Sequence, residues 1–211
     1  MIDRVRASAV VVATLATLAA ATAHGGDGIY VAESFGAGAG TGSLHERVGG
    51  ALHVRLGIGA RLGSFAVEPW IAQDLQTHRD GGFRGLIGGQ PADGSADLEM
   101  KGLDARYAHP IDRHIDVYVR GGPLFVNANG ALRGYHGAGV GGAAGAALTG
   151  RDRALGFLWT PLFFLDRGPL VTGALYLDAG YDATWLRRAG APRIDAGVAH
   201  VSIGFALGTG F

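Results

Sequence analysis

From Leu52 to Leu62 the chain changes polarity at every step. Leu52, Val54, Leu56, Ile58, Ala60 and Leu62 share one parity; His53, Arg55, Gly57, Gly59 and Arg61 share the other. A strand sends successive side chains to opposite faces, so this stretch predicts a strand with one apolar and one polar face. Gly63-Ser64 is a two-residue turn signal. Beyond it Phe65, Val67, Pro69 and Ile71 continue the apolar face, opposite Ala66, Glu68, Trp70 and Ala72. If Leu62 pairs with Phe65, Glu68 lies across from Gly59 and diagonal to Arg61. Trp70 then lies against Gly57, a ring beside a residue with no side chain.

The same alternation recurs along the chain. In Gly102 to His109, Leu103, Ala105 and Tyr107 oppose Asp104 and Arg106; after a five-residue loop, Pro110 to His114, Ile115, Val117 and Val119 oppose Asp116, Tyr118 and Arg120. That loop predicts pairing of His109 with Ile115, with Asp104 facing Arg120 and Arg106 facing Tyr118. Gly137 to Thr149 is a strand almost wholly of Gly and Ala whose facing is open. Val171, Leu175, Leu177 and Tyr181 oppose Thr172, Tyr176 and Asp178, and Val201, Ile203, Phe205 and Leu207 carry the apolar side of a last strand. A first strand from Gly28 to about Ala37 brings the total to eight, although there Ile29 and Val31 share a face with Glu33. Thr77 to Ala96, Asn127 to His136 and Thr184 to Asp195 read as polar loops. The apolar segment Ala154 to Leu165 is expected to pack at the periplasmic rim, within a connection near 150–169. Two further strands there, ten in all, are the alternative.

Hydrophobic residues make up 48% of the chain, yet after residue 23 no apolar run reaches the roughly 20 residues of a spanning helix. Repeated alternating segments of about ten residues are instead the signature of transmembrane strands. The N-terminus has the three-part layout of a secretory signal: Asp3, Arg4 and Arg6, an apolar core from Ala9 to Ala20, and Ala21-Thr22-Ala23. Residues 1–23 are therefore expected to be cleaved, leaving one domain, 24–211. The absence of Cys excludes disulfides, and 18 basic against 18 acidic residues give no field for nucleic acid.

These features predict an all-β protein, an eight-stranded antiparallel up-and-down transmembrane β-barrel. An even strand number returns both ends of the barrel to the periplasm and places the Gly63-Ser64 and Pro110 to His114 turns there. The inner face then carries Arg55, Arg61, Glu68, Asp104, Arg106, Tyr118, Arg120, Tyr176 and Asp178. So narrow a barrel has room for side chains or one small ligand. A polar network filling the lumen is therefore favoured over a wide pore.

The chain resembles the small eight-stranded outer-membrane barrels, the group of the transmembrane domain of outer membrane protein A and the opacity-type adhesins. The resemblance rests on Phe65-Ala66-Val67-Glu68-Pro69-Trp70, Gly102-Leu103-Asp104-Ala105-Arg106-Tyr107, Tyr118-Val119-Arg120-Gly121-Gly122 and the last strand. It implies an assembly signal at Phe205, Leu207 and Phe211, read by the barrel-assembly machinery after delivery by periplasmic chaperones. Thr209 stands where a hydrophobic residue is usual. It further implies a monomer among outer-membrane lipid and lipopolysaccharide, with a role in envelope integrity or adhesion through outer loops. A narrow channel or carrier for small hydrophilic solutes is the alternative. His200-Val201-Ser202 resembles the His-x-Ser of barrel-shaped lipid A deacylases, and its two side chains are expected near the outer end of the last strand. Ile203 replaces the following Asn and no downstream acid is present, so no enzymatic activity is expected. The eight His have no metal-ligand spacing, and neither metal nor cofactor is expected.

Overall fold

A computed structural model of the chain describes residues 27–45, 48–78, 96–112, 114–149 and 172–208. The expected signal peptide at 1–23, the apolar segment 154–165 and Phe211 lie outside the described residues. Eight strands form one closed antiparallel barrel: β1 (Gly28–Gly42), β2 (Val48–Leu62), β3 (Phe65–His78), β4 (Ala96–Pro110), β5 (Ile115–Gly130), β6 (His136–Thr149), β7 (Thr172–Arg187) and β8 (Ile194–Gly208). Because β8 pairs with both β7 and β1, no edge is left for two further strands. The ten-strand alternative therefore gives way to eight.

The wall shows which solvent it meets. Phe65, Val119, Phe125, Leu177, Val201 and Ile203 are each more than half exposed on the outer face, a contiguous apolar surface that water does not tolerate on a monomer. Lipid does tolerate it, provided that every backbone group is paired, and a closed ladder pairs them. The residues between them point into the lumen and are buried. β1 follows the same phase: Tyr30, Ala32 and Ser34 are buried inside. Glu33 therefore stands on the outer wall, between Leu56 of β2 and Phe205 of β8.

The β2–β3 register is the expected one, with Leu62 opposite Phe65 and Gly57 opposite Trp70. Gly63 turns the chain at φ 58°, a conformation that suits glycine. Between β4 and β5 the expected register is corrected by two residues. His109 pairs with Val117, Arg106 with Arg120 and Pro110 with Asp116. The turn is tighter than a five-residue loop, because Ile111 N donates to Ile115 O at 2.8 Å. Asp112 Oδ1 also accepts the backbone N–H groups of His114 and Ile115 at 2.6 and 2.8 Å. A shift of two keeps every side chain on its face, so the inner set of residues is unchanged.

The strands also run further from the Gly63-Ser64 end than the polar composition implies. Asn127 to Gly130 belongs to β5 and His136 opens β6, leaving residues 131–135 as the turn. Likewise Thr184 to Arg187 completes β7, and Ile194 and Asp195 open β8.

Candidate functional site

The lumen holds two packed layers. Nearer the Gly63-Ser64 end, β2, β3, β4, β5 and β7 each contribute charged residues to one network. Arg55 Nη2 donates to Glu68 Oε1 at 2.6 Å and to Asp104 Oδ2 at 2.9 Å. Its guanidinium lies 4.3 Å from the Trp70 ring centroid, and Trp70 Nε1 donates to Asp104 Oδ1 at 3.0 Å. Arg120 Nη2 donates to Asp178 Oδ2 at 2.9 Å, and Nη1 lies 3.6 Å from Asp104. The chain Glu68, Arg55, Asp104, Arg120, Asp178 thus alternates in sign across the lumen. Such alternation is what buried charges require.

Hydroxyl groups complete the carboxylates. Tyr30 donates to Glu68 Oε2 and Tyr118 to Asp178 Oδ2, both at 2.9 Å, and Ser202 Oγ donates to Asp178 Oδ1. Arg106 lies 3.9 Å above the Tyr118 ring. Tyr176 donates instead to the backbone carbonyl of Glu33 at 3.1 Å. Arg61 does not reach Glu68; its Nε donates to Gly63 O at 2.7 Å and its Nη2 lies 3.8 Å from Asp116. The cause is Gly57, over which Glu68 leans: a Cβ at Gly57 would stand 2.7 Å from Glu68 Oε1. That lean carries the carboxylate away from Arg61 and into reach of Arg55. Since Glu68 fills the space over Gly57, the Trp70 ring covers Gly102 of β4 instead, 2.4 Å from where a Cβ would be.

Above this network lies a group that parity alone does not assemble. His53 and His200 stack with ring centroids 4.5 Å apart and planes 6° from parallel. His53 Nδ1 is 2.6 Å from Asp74 Oδ1, and His200 Nδ1 is 3.8 Å from Asp182 Oδ2. Both His occupy inward positions that are visible in the sequence. Asp74 follows the stretch read as strand β3, and Asp182 follows the alternation read in β7, so the acids were missed. His200 is corrected from the outer end of β8 to its middle, and it and Ser202 are buried in the lumen. A cavity of about 10 Å³ is lined by Arg55, Trp70, Asp104, Arg120, Asp182 and His200, together with residues 141–143 of β6. That is room for about one water.

The other layer is apolar. Leu98, Met100, Leu124, Val126, Leu186, Ile194 and Val198 point inward and form one buried cluster with Leu44 and Leu132 from the turns beyond them. Among the described residues no group of three or more His, Asp or Glu is placed to hold a metal ion. Phe205 and Leu207 lie half-buried on the outer face of β8.

No family model matches the sequence, and no curated protein matches it. Solved structures do. The crystal structure of Neisserial surface protein A aligns with a TM-score of 0.53 at 15% identity, over 87% of this chain and 97% of that one. This is the fold of the small eight-stranded outer-membrane barrels. Ail, the attachment invasion locus protein of Yersinia pestis, aligns at 0.46 with 11% identity over 87% and 99%. OprG of Pseudomonas aeruginosa aligns at 0.39 with 12% identity over 86% and 96%. Identities this low speak for the fold alone.

Proposed function

We propose that the protein is a barrel of the bacterial outer membrane with a closed lumen, serving envelope integrity or adhesion through its outer loops rather than transport. One observation carries this reading: among the described residues a charged layer and an apolar layer pack the interior, and the cavity lined by Arg55, Asp104, Arg120 and His200 has room for about one water. In this orientation the Gly63-Ser64 end faces the periplasm. Recording from refolded protein in planar bilayers tests it. No single-channel steps are expected, and reproducible steps sink the reading in favour of a narrow channel.

The lipid A-modifying reading draws little support from the position of its two residues. His200 and Ser202 face the lumen, away from the lipid in which an acyl chain would lie, and Ser202 is engaged by Asp178. Cells expressing the wild type and His200→Ala are expected to have the same lipid A profile by mass spectrometry. A modification that depends on His200 would restore the enzyme reading.

A further inference from the structure

One acid faces outwards in the middle of the apolar wall. Glu33 of β1 has Val31 and Phe35 on either side of it along the same face, and Leu56 and Phe205 beside it on the neighbouring strands. It lies five residues from the Gly28 end of β1. A strand tilted about 45° climbs roughly 12 Å over that length, close to half the height of an apolar band about 25 Å tall. Among the described residues, the other acids and the Lys and Arg that face outwards on the strands are Asp97, Glu99, Lys101, Arg187 and Asp195, and all lie in the halves of their strands away from Gly63-Ser64. No Lys, Arg or His among the described residues faces outwards on β1, β2 or β8, so the Glu33 carboxyl has no cation on its own wall.

An ionisable group inside a membrane is costly unless it is paired. Apolar side chains do little to draw two proteins together there, because lipid tails are as apolar as they are; polar pairs supply the attraction. The depth of Glu33 restricts what can pair with it. Two barrels inserted in the same direction hold equivalent residues at the same level. Four to six residues in from the same end, other strands present Ile71, Ala105, Val119, Ala144, Leu177 and Ile203 outwards, and none of these side chains can donate or accept a hydrogen bond. The residue of a second copy that matches Glu33 in both depth and chemistry is therefore Glu33 itself. A two-fold axis along the membrane normal brings the two side chains face to face. In its protonated form a carboxyl has one O–H donor and keeps an acceptor, so each member of the pair donates to the other.

We propose that the β8–β1–β2 face binds a second copy of the chain, with the two Glu33 carboxyl groups hydrogen-bonded to each other at the centre of the contact. This departs from the monomer that the resemblance implies, and it does not depend on whether the lumen is closed. The chain contains no Cys, so Ser64→Cys in the turn gives one labelling position. The chain without residues 1–23, carrying a donor or an acceptor dye there, is refolded into phosphatidylcholine vesicles, and energy transfer is followed as lipid is added. The parent is expected to keep its transfer at dilutions where random encounter no longer contributes. Glu33→Leu is expected to fold at least as readily, since it removes an acid from the lipid face. It should associate roughly tenfold more weakly, the scale of one polar contact within a membrane. Glu33→Gln retains a donor and an acceptor and is expected to associate like the parent, as is Val119→Ala on the opposite wall. Transfer that falls to the random level in the parent overturns the proposal and leaves the carboxyl facing lipid. A folded Glu33→Leu that associates like the parent overturns it as well, and so does a Glu33→Gln as weak as Glu33→Leu. Loss of association with Val119→Ala moves the contact to another face and equally overturns it.

Discussion

The two ends of the barrel are built on opposite plans, although the strands run through both without a break. Towards Gly63-Ser64 the wall is apolar outside and charged inside: in β5, Val117 and Val119 face out while Asp116, Tyr118 and Arg120 are buried. Further along the same strand Asn127 and Asn129 are exposed, and Leu124, Val126 and Ala128 are buried. In β4 the change falls between Leu103 outside and Lys101, Glu99 and Asp97, with Leu98 and Met100 inside. In these two strands the phase holds; only the polarity of the two faces exchanges. A strand that leaves lipid for water must turn its polar side out and can then afford an oil-like interior, as a soluble barrel does. The difference teaches that one alternation serves two solvents.

Removing single residues should separate the plans. Asp104→Ala is expected to have the largest effect, about 3–5 kcal/mol, because it strips two guanidinium groups and an indole N–H of their shared acceptor. Denaturant unfolding of the refolded barrel measures this, and a variant as stable as the parent would remove the network from the account of stability. Leu98→Ala, in the apolar layer, should cost about 2–5 kcal/mol through lost burial and a cavity. Unlike the first loss, it should be recovered in large part by Leu98→Met, which conserves volume. Gly57→Ala crowds Glu68 and should cost about 1–3 kcal/mol; if its unfolding midpoint does not move, the leaning of Glu68 is wrong. Smallest of all, Glu99→Gln on the watered wall should stay within about 0.5 kcal/mol of the parent. A large loss there would place Glu99 in a contact that the two-plan description lacks.

Much of the barrel was legible in the sequence. The number of strands, the β2–β3 register and the inward facing of Arg55, Glu68, Asp104, Arg120 and Asp178 followed from parity and one Gly-Ser turn. The β4–β5 pairing did not, because a polar turn containing Pro110 does not declare where its last rung lies. The ends of β5, β7 and β8 were hidden for the reason just given: Asn127, Asn129 and Arg187 look like loop residues only if every outward position is assumed to meet lipid. The apolar layer was lost with them, since Leu132, Leu186 and Ile194 belong to stretches read as loop. The contact of Glu68 with Arg55 depends on the space over Gly57, and adjacency in a ladder cannot foresee a lean of that kind.

The β1–β8 ladder has a consequence in time. Tyr30 pairs with Gly208 and Gly42 with Ala196, so the seam joins segments separated by most of the chain. Contacts of such long range form slowly, because the loop-closure entropy must be overcome before any pairing rewards it. Until β8 is in place, the edge of β1 remains a template for any passing strand. The protein is thus most vulnerable to aggregation at the last step of its assembly, and escorting that one edge matters more than hastening the hairpins.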